Sequence, residues 1–442
     1  MRILLVQPLS FFFSTGGAHK ANRLLIEGLA RRGHVCRVMT QLAAPEFFQT
    51  RAQFRERLRE EGTPIRAAAP GIDVVEVGGV EVHVLQDYLH MCEQVSAQAR
   101  DFGPEVVLVS EDKPQVMLGA ALEAEPSRVV YIAHSPVTLP FGPDSFSPDP
   151  LKAEMLRRVA GVITVSNYMK EYVERYGGIR AAAYIPFPVY GAGPFPNFGR
   201  FDGGYVTLVN ACEIKGLTIF AELARRLTDV EFAAVRSWGS TEAVLAPLRR
   251  LTNLRVLDPD PDIDKIFART RVLLAPSLWG EAFGQIVVEA MLRGVPVLAS
   301  DSGGLPEAKL GLDYVLPVRT IEKYEPTGEA LPRVEIVPVI PEQDVGPWER
   351  ALGELLSSRE LYERLSRSSR EAAHAFVARI KIEAFEEYLE GVATGAAPAP
   401  EAEVARARKA QELLARVGQL SAGRRELLAR RLQGMAGAAS RK

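Results

Sequence analysis

Short apolar runs alternate with helix-like segments through the first half of the chain. The runs are residues 3–6, 35–39, 106–109, 129–132 and 162–165. Apolar runs of this length are typical of strands that are buried on both faces. Between the first two runs, Leu24, Leu25 and Leu29 have the spacing of an amphipathic helix over about residues 18–32. This order of elements predicts a doubly wound α/β domain with a parallel sheet.

A second series of the same kind follows a segment that is dense in Pro and Gly. That segment, residues 187–204, has no hydrophobic period and is interpreted as an interdomain linker. The apolar runs after it are residues 206–209, 230–235, 254–257, 271–277 and 295–300. A chain of 442 residues is too long for one ordinary core. Two Rossmann-like domains are therefore predicted, over residues 1–190 and 205–371, with residues 191–204 as the linker.

The composition argues against several other classes of protein. A hydrophobic content of 47% with 24% charged residues is typical of a globular protein, and a net charge of −2 gives no general attraction to nucleic acid. The sequence contains no run of ~18 apolar residues, the length needed to span a membrane. The first residues predict a strand rather than a signal peptide, so a cytoplasmic location is predicted. Cys36, Cys92 and Cys212 are widely spaced, which argues against a disulfide framework and a zinc site.

Two carboxylates stand eight residues apart in the segment 280–291. The pattern predicts a strand, a loop and a helix, with Glu281 in the loop and Glu289 about one turn inside the helix. Glu289 has apolar neighbours on both sides, where an unpaired carboxylate costs several kcal/mol. Its partner is either the start of its own helix or the vicinal hydroxyls of a ligand such as ribose.

A second strand, turn and helix follow at once. Residues 295–300 predict the strand, and the turn at residues 301–307 contains Gly303 and Gly304. Glycine-rich turns that precede helices present backbone N–H groups at the carboxyl ends of the strands. Two such turns side by side suit an anionic ligand such as a diphosphate.

This stretch resembles the nucleotide-sugar site of the retaining glycosyltransferases of family 4, which have the GT-B fold. The resemblance rests on the two Glu separated by seven residues, on Phe283-Gly284 after the first Glu, on Glu289-Ala-Met and on the Gly303-Gly304-x-Pro-Glu turn. The fold that it implies is two Rossmann-like domains that face each other across a cleft.

The resemblance also implies roles for the residues of this stretch. Glu281 would be a catalytic residue and, with the backbone of Phe283 and Gly284, would hold the donor sugar and its phosphate. Gln285 would also bind the donor, and Glu289 would bind the ribose hydroxyls. The following Gly-Gly turn would lie beside the sugar.

Lys215 follows the predicted strand at 206–209 and precedes a helix. It matches the family's Lys that binds the donor diphosphate and offsets the charge developing on the leaving group, which makes it a second predicted catalytic residue. A solvated loop lysine is the alternative. The family usually has Arg five residues earlier, where this chain has the uncharged Asn210. Arg236, at the end of the next predicted strand, is predicted to replace that cation.

The first domain supplies further candidates. Gly16 and Gly17 follow the first strand without forming Gly-x-Gly-x-x-Gly, which argues against a dehydrogenase. The resemblance implies that this loop approaches the donor diphosphate and the acceptor, although a tight turn would also explain the glycines. His134 ends an apolar run where the family places a catalytic-site His, and a structural His is the alternative. Glu111 and Asp112 are predicted at the rim of the cleft, where they contact the acceptor or cap a helix.

An acidic run at residues 258–264 raises the question of a metal, since hard cations bind clustered carboxylates. The run joins a strand to a helix, Asp262 can cap that helix, and the family that the chain resembles uses no metal. No metal site is predicted. No cofactor is predicted either, because the nucleotide sugar is a substrate.

The resemblance implies a last helix that crosses back to the first domain, and residues 372–390 fit it. It stops before residues 391–442, which are predicted to be a flexible linker and a helical tail. Residues 420–432 look similar to helical segments that border modules of nonribosomal peptide and polyketide synthases, which predicts a docking partner. A tail that is disordered alone is the alternative.

The predicted function is the retaining, metal-independent transfer of a hexosyl group from a nucleoside-diphosphate sugar to a hydroxyl. The acceptor would be a small molecule, a lipid or a carrier-bound intermediate, such as a natural product. Two rivals stay open: a nucleotide-sugar epimerase of the GT-B type, and an inert GT-B-like subunit that binds a partner through its C-terminal helices. The inert subunit is favoured only by Asn210 and the tail.

Overall fold

Two β-sheets flanked by helices organise the chain. The computed structural model describes residues 1–8, 10–12, 16–42, 50–69, 71–85, 88–110, 116–180, 182–237, 239–326 and 336–395. All of these belong to one compact unit, residues 1–397.

The first sheet has nine strands in the order β3-β4-β5-β2-β1-β6-β7-β8-β9. They are β1 (Arg2–Val6), β2 (Val35–Gln41), β3 (Ile65–Ala69), β4 (Ile72–Val77), β5 (Val80–Leu85), β6 (Val106–Val109), β7 (Val129–Ala133), β8 (Gly161–Thr164) and β9 (Ala182–Tyr184). In this order, each pair of neighbouring strands from β5 through β2 and β1 to β9 is parallel. The pairs β3–β4 and β4–β5 are antiparallel. The helices of this half are α1 (Gly17–Arg31), α2 (Arg51–Glu60), α3 (Tyr88–Phe102), α4 (Val116–Ala124), α5 (Pro150–Arg157) and α6 (Asn167–Gly177).

The second sheet has six parallel strands in the order β12-β11-β10-β13-β14-β15. They are β10 (Tyr205–Val209), β11 (Phe232–Val235), β12 (Leu254–Leu257), β13 (Thr270–Ala275), β14 (Val297–Ser300) and β15 (Val315–Leu316). The helices among them are α7 (Leu217–Arg226), α8 (Glu242–Leu245), α9 (Ile263–Phe267), α10 (Gln285–Leu292) and α11 (Leu305–Ala308), with 3₁₀ turns at Glu213–Lys215 and Leu248–Arg250. An antiparallel pair, β16 (Tyr324–Pro326) and β17 (Ile336–Pro338), follows this sheet.

The predicted α/β architecture is confirmed, with one correction at an edge of the first sheet. The sequence predicted a parallel sheet, whereas β3, β4 and β5 form an antiparallel edge. A buried charged residue makes this part of the sheet difficult to predict from the sequence. Asp73 interrupts the apolar pattern of β4, yet it is buried because Arg51 and Arg55 of α2 pair with its carboxylate at 2.8 and 2.6 Å. Burial of a charge is tolerated when it is paired in this way.

Helices α12 (Gly346–Ser357), α13 (Arg359–Ala378) and α14 (Glu383–Ala393) end the described chain. Helix α13 packs against α10, and α14 lies against β6 of the first sheet, with Phe385 and Leu389 in the core there. The segment predicted as one crossing helix, residues 372–390, thus spans parts of two helices. The domain bounds themselves stay predictions, and the tail beyond residue 395 lies outside the described residues. Among the helices that the structure describes, none combines the length and apolarity needed to cross a membrane.

Candidate active site

A carboxylate and an ammonium group meet where β10 and β13 end. Glu281 lies between β13 and α10, and Lys215 lies in the 3₁₀ turn between β10 and α7. The Lys215 ammonium binds Oε1 of Glu281, and it also lies 4.7 Å from the centroid of the Trp279 ring. Ser277 Oγ and Trp279 Nε1 donate to the same oxygen at 2.6 and 2.9 Å. The structure thus brings together two of the predicted catalytic residues.

These contacts determine the charge of Glu281. Burial raises the pKa of the Glu281 carboxyl, but the charge of Lys215 and the three hydrogen bonds outweigh it, so the pKa lies below its usual value. Glu281 is therefore ionised at neutral pH. The site holds a fixed negative charge with a cation directly beside it.

Backbone geometry keeps the two loops in contact. Gly216, which ends the 3₁₀ turn, has φ of 80°, and a Cβ there would overlap the carbonyl oxygen of Pro276. Gly303 has φ of 61°, and a Cβ there would overlap the backbone N and O of Glu281. The Gly304 N–H donates to the Glu281 carbonyl at 2.7 Å. Glycine is required at such positions because it has no Cβ and accepts positive φ.

Glu289 is bound from the other side of the cleft. Lys20 of α1 places its ammonium 2.9 Å from Oε1 of Glu289, with 44% of the Lys20 side chain and 13% of the Glu289 side chain exposed. One turn earlier on each helix, Gly17 faces Gln285, since a Cβ on Gly17 would lie 3.1 Å from Oε1 of Gln285. The N-terminal turns of α1 and α10 therefore face each other, and the structure pairs Glu289 with Lys20.

His134 belongs to a partly buried network at the ends of three strands. Its Nε2 lies 2.8 Å from Oδ1 of Asn22, whose amide nitrogen reaches Gln7 and Ser110 at 2.9 and 2.8 Å. Burial, and then the charge of His19, lower the pKa of His134 to about 3. Burial lowers the pKa of His19 to about 4. Both imidazoles are neutral over the physiological range.

Asn210 directly follows β10 and has φ of 62°. Asn is one of the few residues other than Gly that adopt this left-handed region readily, which gives a backbone reason for its presence. Its side-chain oxygen accepts the Gly239 N–H at 3.4 Å. Arg236 forms an ion pair with Asp258 and its side chain is 46% exposed. That Arg236 replaces the missing cation stays a prediction.

The acidic run at 258–264 is explained by local contacts. Asp262 caps α9 by accepting the Asp264 N–H at 3.0 Å. Asp260 pairs with Lys265 at 3.0 Å, and Asp264 pairs with Arg293. Within the described residues, no group of three or more His, Cys, Asp or Glu side chains could hold a metal ion.

Comparison with known proteins decides the family. A model described as Glycosyltransferase Family 4 matches residues 15–189, and one described as Glycosyl transferases group 1 matches residues 203–324. The chain belongs to glycosyltransferase family 4. An uncharacterized 42.6 kDa protein in the cps region of Klebsiella pneumoniae is 31% identical over 103 residues, which are 23% of this chain and 26% of that protein. The chain thus matches only about a quarter of that relative's length.

Solved structures of glycosyltransferases share the fold of this family 4 chain. HepE from Anabaena, in complex with UDP and glucose, is 17% identical with a TM-score of 0.60, covering 89% of this chain and 100% of its own. Sucrose-phosphate synthase from Thermosynechococcus elongatus is 14% identical with a TM-score of 0.61, and the match covers 94% of this chain and 99% of the synthase. A glycosyltransferase from Rickettsia africae is 12% identical with a TM-score of 0.58, and the match covers 88% of this chain and 98% of that enzyme. The GT-B fold is thereby confirmed.

Contacts between the two halves of this family 4 chain surround the Glu281 loop. Ser166, the N-cap of α6, donates from Oγ to the Ala282 carbonyl at 2.5 Å. The Glu307 carboxylate accepts the backbone N–H groups of Asn167 and Tyr168, both at 3.1 Å. A carboxylate at a helix N-terminus is favoured by the helix dipole. These contacts hold the Glu281 loop and α11, which belong to the second sheet, against α6 of the first sheet.

The sequence interpretation missed Lys20, Asn22 and these α6 contacts. Helical spacing carries a signal for Lys20, since Gly17 and Lys20 lie on one face of α1, as Gln285 and Glu289 do on α10. No sequence signal says that the two faces meet. The acceptor-side candidates Glu111 and Asp112 lie outside the described residues.

The neutral histidine His134 predicts a pH dependence of stability. The pKa of His134 is 6.5 in the unfolded chain and about 3 in the folded protein, so between these pH values only the unfolded chain binds the proton. Its contribution is therefore complete above pH 6.5 and is lost as the pH falls towards 3. Between pH 6.5 and 5, the unfolding free energy of His134→Asn should fall by roughly 1.6 kcal/mol less than that of the wild type. Urea unfolding at both pH values checks this, and an equal loss in the two proteins would contradict it.

Proposed function

We propose that this protein is a retaining glycosyltransferase that moves a hexosyl group from a nucleoside-diphosphate sugar to a hydroxyl acceptor without a metal ion. The observation that carries the proposal is the ionised Glu281 held against Lys215 at the start of α10. Glu289 lies about one turn inside α10, eight residues further along the chain, and faces the same cleft. This places carboxylates for hydroxyl groups on either side of a helix N-terminus that suits phosphate.

In this proposal each group has one task. Glu281 accepts hydrogen bonds from hydroxyls of the donor hexose, and Glu289 accepts them from the ribose. Lys215 and the N-terminus of α10 bind the diphosphate and stabilise the negative charge that develops as it leaves. Because these groups neutralise the charge, no metal ion is required.

The transfer step needs no protein base. The bond from the anomeric carbon to the diphosphate oxygen breaks, and the acceptor oxygen bonds to that carbon on the same face. The proton of the acceptor hydroxyl passes to the departing diphosphate, which leaves one proton heavier. Proximity and electrostatic stabilisation then supply the catalysis.

The first donor to test is UDP-glucose. HepE, which shares the fold of this chain, has been solved in complex with UDP-glucose at 17% identity and a TM-score of 0.59. We extend that donor class to this chain as a proposal. The acceptor is proposed only by class, as a hydroxyl on a small molecule, a lipid or a carrier-bound intermediate, with a natural product among the candidates.

One observation favours a second candidate, an inert subunit with the same fold. Asn210 brings no charge to a place where the family usually has Arg, and its side chain binds Gly239. A diphosphate would then be held by fewer cations. Such a subunit would bind nucleotide weakly and would not turn over a donor.

Donor turnover tests the proposal. UDP-glucose and the corresponding GDP, ADP and dTDP sugars are incubated with the protein, and the anomeric configuration of the released sugar is followed by proton NMR. The proposal predicts slow hydrolysis that releases the sugar with its α configuration retained, and predicts that Glu281→Gln slows it by about 10²–10³. Release of the inverted anomer would contradict the retaining assignment. No turnover of any donor would favour the inert subunit.

Lys20→Ala separates two roles for the cross-cleft pair. If Glu289 binds ribose, Lys20 competes with the donor for that carboxylate, so its removal should leave UDP affinity equal or higher. The unfolding free energy should change by about 1 kcal/mol or less, because Lys20 is substantially exposed. Isothermal titration with UDP measures the affinity. A loss of about threefold or more would show that Lys20 binds the nucleotide itself.

A further inference from the structure

Asn22 is the one member of the His134 network that contacts all the others. It is buried on α1 and its side chain lies at the carboxyl ends of β1, β6 and β7. Its amide nitrogen donates to Gln7 Oε1 at 2.9 Å and to Ser110 Oγ at 2.8 Å. An amide nitrogen carries two protons, so both of its donors are used.

The remaining polar atom of Asn22 determines the state of His134. Oδ1 lies 2.8 Å from Nε2 of His134 and can only accept a hydrogen bond. With the Asn22 amide in this orientation, His134 carries its proton on Nε2. A neutral imidazole has one donor and one acceptor, so Nδ1 is left as the acceptor. In the part of the chain that the structure describes, no partner of Nδ1 is found.

We propose that Asn22 is a positioning residue that holds His134 as the Nε2–H tautomer, so that Nδ1 accepts a hydrogen bond from a substrate hydroxyl. This rests on the proposed function, because the hydroxyl belongs to the donor hexose or to the acceptor. His134 ends β7, and ligands of parallel α/β sheets bind at the carboxyl ends of strands. The ring cannot serve as a cation here, since its pKa of about 3 keeps it neutral.

The tautomer can be observed without any activity. Protein labelled with ¹⁵N in histidine is measured by long-range proton–nitrogen correlation at pH 7, and His134 is assigned from the signal lost in His134→Asn. We expect Nε2 to be the protonated nitrogen and Nδ1 the unprotonated one. Asn22→Leu should convert this pattern into a mixture of tautomers. Protonation of Nδ1 in the wild type would overturn the proposal.

A matched control separates tautomer control from stability. Asn253 is also buried, and its amide nitrogen contacts the carbonyl oxygens of Ala224, Leu227 and Val230 at 2.9–3.0 Å in the second domain. Asn253→Leu should therefore lower the melting temperature at least as much as Asn22→Leu. It should leave the nitrogen signals of His134 unchanged. If both variants alter those signals alike, Asn22 has no specific role.

Kinetics then identify the hydroxyl. In His134→Asn the side-chain oxygen can take the place of Nδ1, whereas His134→Gln can replace only Nε2. The proposal predicts that His134→Asn keeps at least about ten times the kcat/KM of His134→Gln. A loss in donor hydrolysis without acceptor would assign the hydroxyl to the donor hexose, and a loss in transfer alone would assign it to the acceptor. Equal values for the two variants would overturn the acceptor role of Nδ1.

Failure of the proposed function would look different. If the wild type turned over no donor, the glycosyltransferase proposal would fail, while the nitrogen spectra would still decide whether Asn22 sets the tautomer. If the wild type turned over donors but showed the Nδ1–H tautomer, only the present inference would fail.

Discussion

Glu281→Gln should lower kcat for donor turnover by about 10²–10³, the usual effect of removing one charge-stabilising group from an active site. The substitution keeps the shape of the side chain and removes its charge. Lys215 then lacks its anion, and the Ser277 and Trp279 donors face a weaker acceptor. Hydroxyls of the sugar would also be held by an amide in place of a carboxylate. Steady-state hydrolysis of the donor measures the loss.

The control is Glu242→Gln. Glu242 lies in the same domain, pairs with Arg249 and has a side chain that is 71% exposed. It loses the same charge without touching the site, so its kcat should stay within about twofold of the wild type, as is usual for surface positions. If Glu281→Gln kept more than about a third of the wild-type kcat while folded, the catalytic role of Glu281 would be refuted.

Lys215→Ala is the second change with a large expected effect. It removes the cation proposed to bind the leaving diphosphate, so kcat should fall by about 10²–10³. It also leaves Glu281 buried without its counter-ion, which should cost about 1–3 kcal/mol of unfolding free energy. The pKa of Glu281 should rise, because burial then acts with only the neutral hydrogen bonds against it.

The pH dependence of that cost has a definite sign. In the wild type, the lowered pKa of Glu281 gives stability that is present above the unfolded pKa of 4.5 and is lost as the pH falls below it. In Lys215→Ala, a raised pKa reverses the sign, and the deficit should shrink as the pH falls. Scanning calorimetry at pH 5 and 8 compares the two proteins. The control Lys265→Ala removes an exposed ammonium from Asp260 and should change little.

The double variant tests whether Lys215 and Glu281 act as a pair. Residues in contact are non-additive by about 0.5–3 kcal/mol. Lys215→Ala combined with Glu281→Gln should therefore be more stable than the sum of the two single losses predicts, because the unpaired buried charge is gone. Strict additivity would mean that the ion pair contributes nothing to folding.

The sequence predicted both parallel sheets because buried strands produce uninterrupted apolar runs. It also predicted the proximity of Glu281 and Gly303–Gly304, since these residues follow neighbouring strands of one sheet. Strand β4, which pairs with the edge strand β3, was missed because its buried Asp73 looks like a surface residue until Arg51 and Arg55 are placed beside it. A local pattern cannot show a charge that is neutralised from another element.

Contacts across the cleft were beyond the reach of the sequence. Lys20 and Glu289 are 269 residues apart, and Glu307 and Asn167 are 140 apart. Their meeting depends on the orientation of the two halves, which many packing contacts set together. For Asn210, the sequence shows that the Arg usual in the family is missing. The structure adds a backbone reason for Asn at this position, which is its positive φ.

We propose that Glu289 and its neighbours form a nucleoside-diphosphate site. The most direct test is isothermal titration of the wild type and Glu289→Ala with UDP, GDP, ADP and dTDP. We expect one nucleotide to bind the wild type and to bind Glu289→Ala about 10–100 times more weakly, the usual effect of losing hydrogen bonds to a charged group. Binding of no nucleotide, or equal binding by both proteins, would contradict it.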